Sequence, residues 1–285
     1  MIDKMLELKA YGKINLTLEV LGLREDGFHE IKSIMQTIDI FHVLYFEKIP
    51  ENTIKLAGNS QEIPYADSNL IVKAARLLKD RYQIKEGVSI YLEKRIPVEA
   101  GLAGGSSDCA ATLKGLNQLW DLKLSTEKLM ELGGILGSDI PYTILGGTAL
   151  VEGRGEKVLK IKDISEREIL VVKPDFGVST KRVYEEVDKY DHSLFHDYSG
   201  KMIKSIDDGK NIDEYLYNDL QKATTDLYPE VNQIINLMKN EGVIPLMSGS
   251  GPTCYCFGDN ASIKKLYDIF KDMYKNVFRT KLKNI

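Results

Sequence analysis

The stretch Pro97-Val98-Glu99-Ala100-Gly101-Leu102-Ala103-Gly104-Gly105-Ser106-Ser107-Asp108 decides the fold of this chain. It follows a predicted strand over residues 88–94 and precedes an alanine-rich predicted helix that begins near Gly105. Glycines let the backbone approach a ligand closely, and a helix start presents unpaired N–H groups to anions. The stretch therefore predicts an anion-binding loop. It matches neither Gly-x-x-x-x-Gly-Lys-Ser/Thr nor Gly-x-Gly-x-x-Gly, and a glycine-rich turn with a serine cap is the simpler alternative.

Outward from this loop, the hydrophobic pattern predicts a mixture of strands and helices. Alternation indicates strands in the first third, with a turn near Gly12, and helical spacing indicates a helix capped by Ser68. A further helix begins at Ser125. Other helices are predicted over residues 180–188, 212–220, 229–238 and 262–274, and other strands over 148–151, 169–172, 253–257 and 277–282. Because no strict strand–helix–strand rhythm appears, the pattern favours an α+β fold over a doubly wound parallel sheet.

Length and charge limit the function classes. At about 150 residues per domain, 285 residues suggest two domains. We place their boundary near residues 153–163, which gives domains 1–155 and 156–285. With 38 Lys and Arg against 42 Asp and Glu, the net charge is −4. This balance gives no reason to expect a nucleic-acid or membrane partner, so an anionic ligand must be held locally. Neither a membrane span nor a signal peptide is expected.

The cysteines and most histidines indicate structure rather than chemistry. Three cysteines, Cys109, Cys254 and Cys256, are too few for a disulfide framework, so they predict buried thiols and a reducing, cytoplasmic compartment. The histidines outside the Asp26-Gly27-Phe28-His29 segment lack the spacing of metal ligands. We interpret them as surface residues; they are His42, His192 and His196.

Three polar segments are candidates for chemistry. Alternation places Lys13 and Asn15 on one face of a strand, where an ammonium is costly unless it faces an anion. Asp139 lies in the turn Gly137-Ser138-Asp139-Ile140-Pro141 and could accept a hydroxyl proton. Phe28 and His29 stand side by side and suit a nucleobase. The structural alternatives are a solvated strand face for Lys13, a helix cap or Asx turn for Asp139, and a turn histidine for His29.

The loop resembles the phosphate-binding loop of the GHMP kinases, the superfamily of galactokinase, homoserine kinase and mevalonate kinase. Two further segments match this family in order and spacing, Ala10-Tyr11-Gly12-Lys13-Ile14-Asn15-Leu16 and Met247-Ser248-Gly249-Ser250-Gly251-Pro252, so the resemblance covers nearly the whole chain. It implies an α+β, two-domain GHMP kinase fold, with an N-terminal ribosomal-protein-S5-like domain and a C-terminal ferredoxin-like domain. It also implies phosphoryl transfer from ATP, accompanied by Mg²⁺ whose ligands the sequence does not identify.

Within the superfamily, the chain is most similar to the branch that phosphorylates a cytidine-diphosphate alcohol in the non-mevalonate isoprenoid pathway. The similarity rests on four segments: Lys13-Ile14-Asn15-Leu16, Arg24-Glu25-Asp26-Gly27-Phe28-His29, Gly104-Gly105-Ser106-Ser107-Asp108, and Gly137-Ser138-Asp139-Ile140-Pro141. It implies that Asp139 is the catalytic base and that Lys13 pairs with it. Phe28 stands where this branch usually has tyrosine, so a hydroxyl is lost.

The resemblance also assigns ligand contacts. It implies that ATP binds to residues 97–107 and to Asn69, which begins the helix bordering the adenine pocket. It implies that the cytidine-diphosphate substrate binds to Asn15, Phe28, His29 and Tyr184. The expected partners are these two small molecules, with the protein as a monomer or a weak homodimer.

Two other functions stay open at this point. One is the same kinase class with another acceptor, such as homoserine or a mevalonate-type alcohol. The other is a nucleotide-binding regulator on a kinase fold, which is disfavoured because Lys13 and Asp139 are both present.

Overall fold

The computed structural model describes residues 5–190 and 196–285. The strands in these ranges are β1 (Leu6–Asn15), β2 (Thr17–Leu23), β3 (His29–Ile49), β4 (Ile54–Gly58), β5 (Gly87–Glu93), β6 (Thr148–Gly153), β7 (Lys157–Lys160), β8 (Glu168–Lys173), β9 (Tyr217–Asn218), β10 (Ile244–Met247), β11 (Cys254–Phe257) and β12 (Asn276–Lys281). The helices are α1 (Leu70–Tyr82), α2 (Gly104–Leu119), α3 (Thr126–Leu136), α4 (Ile140–Leu145), α5 (Thr180–Val187), α6 (Tyr198–Asp207), α7 (Asp219–Leu227), α8 (Pro229–Asn240) and α9 (Asn260–Phe270), with a 3-10 turn at Asp213–Tyr215.

The strand pairing confirms the predicted α+β class. Strand β3 pairs antiparallel with β2, β5 and β6, and β8 pairs antiparallel with β11 and β12. Parallel pairing occurs between β4 and β5 and between β2 and β9. A doubly wound fold would instead require a mainly parallel sheet with helical crossovers.

Contacts divide the chain into two compact units, each made of several segments. The first takes the described residues within Met1–Gly12, Ile40–Ile96 and Ala103–Leu145. Here β5 pairs with β3 on one side and with β4 on the other, and α1 to α4 contribute the helices. Its core contains Leu44 and Phe46 of β3 together with Leu113 and Leu116 of α2, all fully buried. This core fixes the start of α2, where the glycine-rich loop ends.

The second unit takes the described residues within Lys13–Asp39, Pro97–Leu102 and Gly146–Ile285. It contains a four-stranded antiparallel sheet in the order β10-β11-β8-β12. Alternate residues of its strands, including Leu170, Val172, Cys254 and Cys256, share a core with the apolar stripes of α8 and α9. In the same unit, β6 pairs with residues 31–36 of β3. The predicted domain boundary at 155/156 falls in the turn between β6 and β7 and stays a prediction.

Three sequence-based predictions of local structure are wrong. Gly12 makes no turn, because β1 runs without a break from Leu6 to Asn15. The N-cap of α1 is Asn69 rather than Ser68, since the Asn69 side chain accepts a hydrogen bond from the backbone N–H of Ile71 at 2.9 Å.

The third error is the predicted helix over residues 212–220. The apolar residues there have helical spacing, but Tyr217–Asn218 forms the strand β9 beside Thr17 and Leu18. Helix α7 begins only at Asp219, with Asn218 as its N-cap. Pairing with a distant strand overrides the local pattern.

The predicted surface position of the histidines is wrong for His42, which is fully buried. His196 is exposed, as predicted, and His192 lies outside the described residues. All three cysteines are free and fully buried, as predicted. Among the helices that the structure describes, none combines the length and apolar character needed to cross a membrane.

Candidate active site

The glycine-rich loop uses backbone conformations that few residues adopt. Its φ angles are +50° at Glu99, +71° at Gly101 and +56° at Ala103, all in the left-handed region. A Cβ atom on Gly101 would lie 2.4 Å from the carbonyl oxygen of Ser248, so only glycine fits this position. The loop therefore lies directly against residues 248–251, which form a second glycine turn.

Lys13 is held against this part of the loop. Its Nζ donates to Asn15 Oδ1 at 2.7 Å and to the Gly101 carbonyl oxygen at 3.2 Å, and only 4% of the residue is exposed. The Ser248 hydroxyl donates to the same carbonyl at 3.0 Å, and a Cβ on Gly249 would lie 3.4 Å from Lys13 Nζ. The predicted common face of Lys13 and Asn15 is confirmed. Burial makes the ammonium a strong local source of positive potential.

A hydrogen-bond network fixes the orientation of Asn15. Its Nδ2 donates to the Ser33 hydroxyl at 2.9 Å, and that hydroxyl donates to the Thr17 carbonyl at 2.5 Å. The phenol of Tyr255 donates to the Asn15 carbonyl at 2.8 Å. Asn15 is fully buried, and both ends of its amide make hydrogen bonds. Its side chain therefore holds the Lys13 ammonium in a fixed position. Its contact with substrate stays a prediction.

The start of α2 leaves backbone amides for an anion. Its N-cap is Ala103, whose side chain has no acceptor, so it cannot cap the first turn. The Ser107 hydroxyl lies 2.6 Å from the Tyr11 carbonyl oxygen and 3.0 Å from that of Ala103, which ties the helix start to β1. The Ser106 carbonyl accepts from the Thr143 hydroxyl at 3.2 Å, which links α2 to α4.

Asp139 lies in the turn between α3 and α4, as predicted. Its carbonyl accepts from the backbone N–H of Thr143 at 3.0 Å, so its position follows from the first turn of α4. The residue is half-buried. It belongs to the first unit, whereas Lys13 belongs to the second, and the pairing of the two stays a prediction.

Two of the residues predicted to bind cytidine lie together. The rings of His29 and Tyr184 stack with their centroids 4.6 Å apart and their planes at 24°. His29 Nε2 also lies 2.7 Å from Asp188 Oδ1, so a carboxylate orients the imidazole. Phe28 is 48% exposed and lies 5.0 Å from the Arg154 guanidinium, across its ring face. Because Phe28 is exposed, it can present a ring to a planar ligand.

The side chain of Asn69 caps the N-terminus of α1. Besides capping Ile71 with Oδ1, it donates from Nδ2 to the Pro64 carbonyl at 2.8 Å. Both ends of its amide thus bind backbone, and its contact with adenine stays a prediction.

Sequence reasoning missed two residues near these groups. His42 shares the parity of Ile40, Leu44 and Phe46, which are buried, so alternation could have placed it inside. Asp188 is four residues after Tyr184, a spacing that puts both on one face of α5 and its C-cap. Its partner His29 is 159 positions away, so no local signal pairs them.

Comparison with known proteins identifies the class. The model of the GHMP kinases N-terminal domain matches residues 69–147, and that of the GHMP kinases C-terminal domain matches residues 202–276. The chain belongs to the GHMP kinases, and the predicted GHMP kinase fold and kinase activity are confirmed.

Two relatives that are similar over nearly their full length share one name. A 4-diphosphocytidyl-2-C-methyl-D-erythritol kinase of Caldicellulosiruptor bescii is 44% identical over 279 residues, covering 96% of this chain and 97% of its own. One of Clostridium botulinum strain Eklund 17B is 44% identical over 282 residues, covering 97% and 99%. A crystal structure of 4-(cytidine 5'-diphospho)-2C-methyl-D-erythritol kinase is 28% identical with a TM-score of 0.83, covering 98% of this chain and 100% of that one.

Proposed function

We propose that this enzyme transfers the γ-phosphoryl group of ATP to the 2-hydroxyl of 4-diphosphocytidyl-2-C-methyl-D-erythritol, in the non-mevalonate route to isoprenoid precursors. The observation that carries the proposal is the buried Lys13 ammonium beside the Gly101 carbonyl of the glycine-rich loop. The choice of acceptor rests on the names of relatives that match nearly the full chain.

The loop over residues 97–107 has the features of a triphosphate site. Gly101 allows the backbone to approach closely, and the uncapped first turn of α2 offers N–H groups with the positive end of the helix dipole. Lys13 adds a positive charge in a buried setting. Local groups of this kind let a chain of net charge −4 bind a polyanion without a basic surface.

We expect Mg²⁺ to accompany ATP in this reaction. Within residues 5–190 and 196–285, no group of three His, Cys, Asp or Glu side chains is placed to hold a metal ion. Magnesium keeps several waters and takes few protein ligands when phosphates coordinate it. Bound with ATP, it supplies charge neutralisation between the phosphates.

In the proposed reaction, Asp139 receives the proton of the substrate 2-hydroxyl. The hydroxyl oxygen forms a bond to the γ-phosphorus as the bond from that phosphorus to the β,γ-bridging oxygen breaks, and ADP leaves. Lys13 stabilises the negative charge that develops on the reacting oxygens. The network through Asn15 and Ser33 holds the ammonium in place, which avoids reorganisation during transfer.

The cytidine end of the substrate would be recognised by the stacked pair His29 and Tyr184, with Phe28 beside them. A planar base gains stacking on an aromatic ring, and the oriented imidazole offers a hydrogen bond to the base edge. Without the usual tyrosine hydroxyl, Phe28 contributes only its ring.

The test is turnover of purified protein with Mg²⁺, ATP and three separate acceptors: 4-diphosphocytidyl-2-C-methyl-D-erythritol, homoserine and mevalonate. We expect ADP release and a phosphorylated product with the first acceptor alone. Product with homoserine or mevalonate, and none with the cytidine compound, would overturn the assigned acceptor.

The role of Asp139 is tested with Asp139→Asn, which keeps the shape of the side chain and removes the base. We expect kcat to fall by about 10²–10⁴-fold with little change in the Kd of ATP. Asp121→Asn is the matched control, because Asp121 is 80% exposed at its side chain and pairs only weakly with Lys123 at 3.5 Å. Near-normal turnover by Asp139→Asn would remove this residue from the mechanism.

A further inference from the structure

A buried histidine lies behind the start of α2. His42 is fully buried in β3, and its Nδ1 is 2.5 Å from Asp108 Oδ1. Its Nε2 is 3.3 Å from the carbonyl oxygen of Ile96. Asp108 is itself only 4% exposed, so the pair is shielded from water. A buried polar pair of this kind is costly unless its hydrogen bonds are made.

The two partners of His42 directly flank the glycine-rich loop in the sequence. Ile96 is the residue before Pro97, and Asp108 is the residue after Ser107. A third contact comes from Gly104, where a Cβ would lie 3.3 Å from His42 Cε1, so the backbone of the first turn of α2 rests on the imidazole. One side chain thus contacts the chain at both ends of the loop.

The two ring nitrogens of His42 face two different polar partners. Nδ1 faces the carboxylate of Asp108, and Nε2 faces the carbonyl oxygen of Ile96. Both bonds are therefore made at once, and each end of the loop is tied to the same rigid ring on a core strand.

We propose that His42 is a positioning residue for phosphoryl transfer, acting with Asp108 to fix both ends of the loop over residues 97–107. The inference rests on the proposed role of this loop in binding the phosphates of ATP. A loop held at both ends has less conformational freedom to lose when the triphosphate binds. Loosening either end should therefore raise the KM of ATP, with a smaller effect on kcat and on the KM of the acceptor.

Two variants of His42 test the two ends of the loop separately. His42→Asn places an amide N–H near the position of Nδ1, so it keeps the bond to Asp108 and loses the bond to Ile96. His42→Gln places its amide near Nε2, so it keeps the bond to Ile96 and loses the bond to Asp108. Each should raise the KM of ATP by about two- to tenfold while the protein stays folded. His196→Asn is the matched control, because His196 is an exposed histidine, and it should leave every kinetic constant unchanged.

His42→Leu removes both bonds and should raise the KM of ATP more than either amide variant, if it folds. If His42→Leu does not fold, the two amide variants still test the proposal. A purely structural role would instead lower the thermal midpoint and the active fraction without separating the KM of ATP from that of the acceptor.

Gly101→Ala distinguishes failure of this inference from failure of the proposed function. If Gly101→Ala raises the KM of ATP and both amide variants at His42 stay within twofold of the wild type, the positioning role of His42 is wrong. If Gly101→Ala leaves the KM of ATP unchanged, the loop does not bind the phosphates, and the proposed function of the loop falls together with the role of His42.

Discussion

The close approach of the loop to the second glycine turn can be measured with two alanine substitutions. Gly101 has φ +71°, and an added Cβ would lie 2.4 Å from the Ser248 carbonyl oxygen. Gly209, after α6, has nearly the same φ of +67°, but no described atom lies within 4 Å of where its Cβ would be. The two substitutions share the cost of a left-handed backbone and differ in the steric contact.

The shared cost is about 1–2 kcal/mol for an L-residue in the left-handed region. The contact adds about 1–3 kcal/mol at Gly101, which is typical of overpacking, because the neighbouring carbonyl is backbone and cannot turn away. We therefore expect the free energy of unfolding to fall by about 1–2 kcal/mol in Gly209→Ala and by about 2–5 kcal/mol in Gly101→Ala. Displacement of the loop to relieve about 1–3 kcal/mol would weaken ATP binding by about 5- to 150-fold.

The assay is urea unfolding followed by far-UV circular dichroism, with isothermal titration of a non-hydrolysable ATP analogue. Gly209→Ala should leave the Kd of the analogue unchanged. Equal losses of unfolding free energy in the two variants, with unchanged nucleotide binding in both, would refute the argument, because the close contact would then contribute nothing.

Two other predictions use features of the second unit and the cysteines. Burial raises the pKa of Cys109, Cys254 and Cys256, and it raises that of Cys256 to about 12, so the thiolate fraction at pH 8 is small. We expect Ellman's reagent to label these thiols only after the protein unfolds. Rapid labelling of one thiol in the native protein would contradict this. Asp188→Asn should weaken the hydrogen bond to His29. We therefore expect the KM of the cytidine substrate to rise by about two- to tenfold, with no change in the KM of ATP. An unchanged KM for the cytidine substrate would count against its recognition by His29.

Much of the fold follows from local sequence signals. The Ser125 cap of α3 and the inward face of α2 are both readable from residue type and spacing, because the same residues that favour the helix also fill the core. The errors occur where a distant strand decides the structure. Gly12 lies inside β1, which pairs with β3, and Tyr217–Asn218 becomes a strand because Thr17 and Leu18 lie beside it.

The candidate site shows the same division. The place of the loop between β5 and α2 and the shared face of Lys13 and Asn15 are local properties, and the sequence predicts them. The partners that orient these groups come from elsewhere in the chain: Tyr255 is 240 positions from Asn15, and Ser248 is 147 positions from Gly101. Such pairings depend on the tertiary fold, so a single sequence does not reveal them.

The pairing of β3 sets an order of events during synthesis. Strands β2 and β3 are neighbours in the sequence, so β3 can pair with β2 as soon as both strands leave the ribosome. Residues 31–36 of β3 also pair with β6, which begins at Thr148. Ile38 of β3 forms a bridge with Leu282, near the end of the chain. At translation rates of about 5–20 residues per second, those partners arrive on the order of ten seconds or more later. The nascent chain therefore carries an apolar strand with an open edge while the residues between β3 and β6 are synthesised, and during that time the edge must be kept from pairing with other chains.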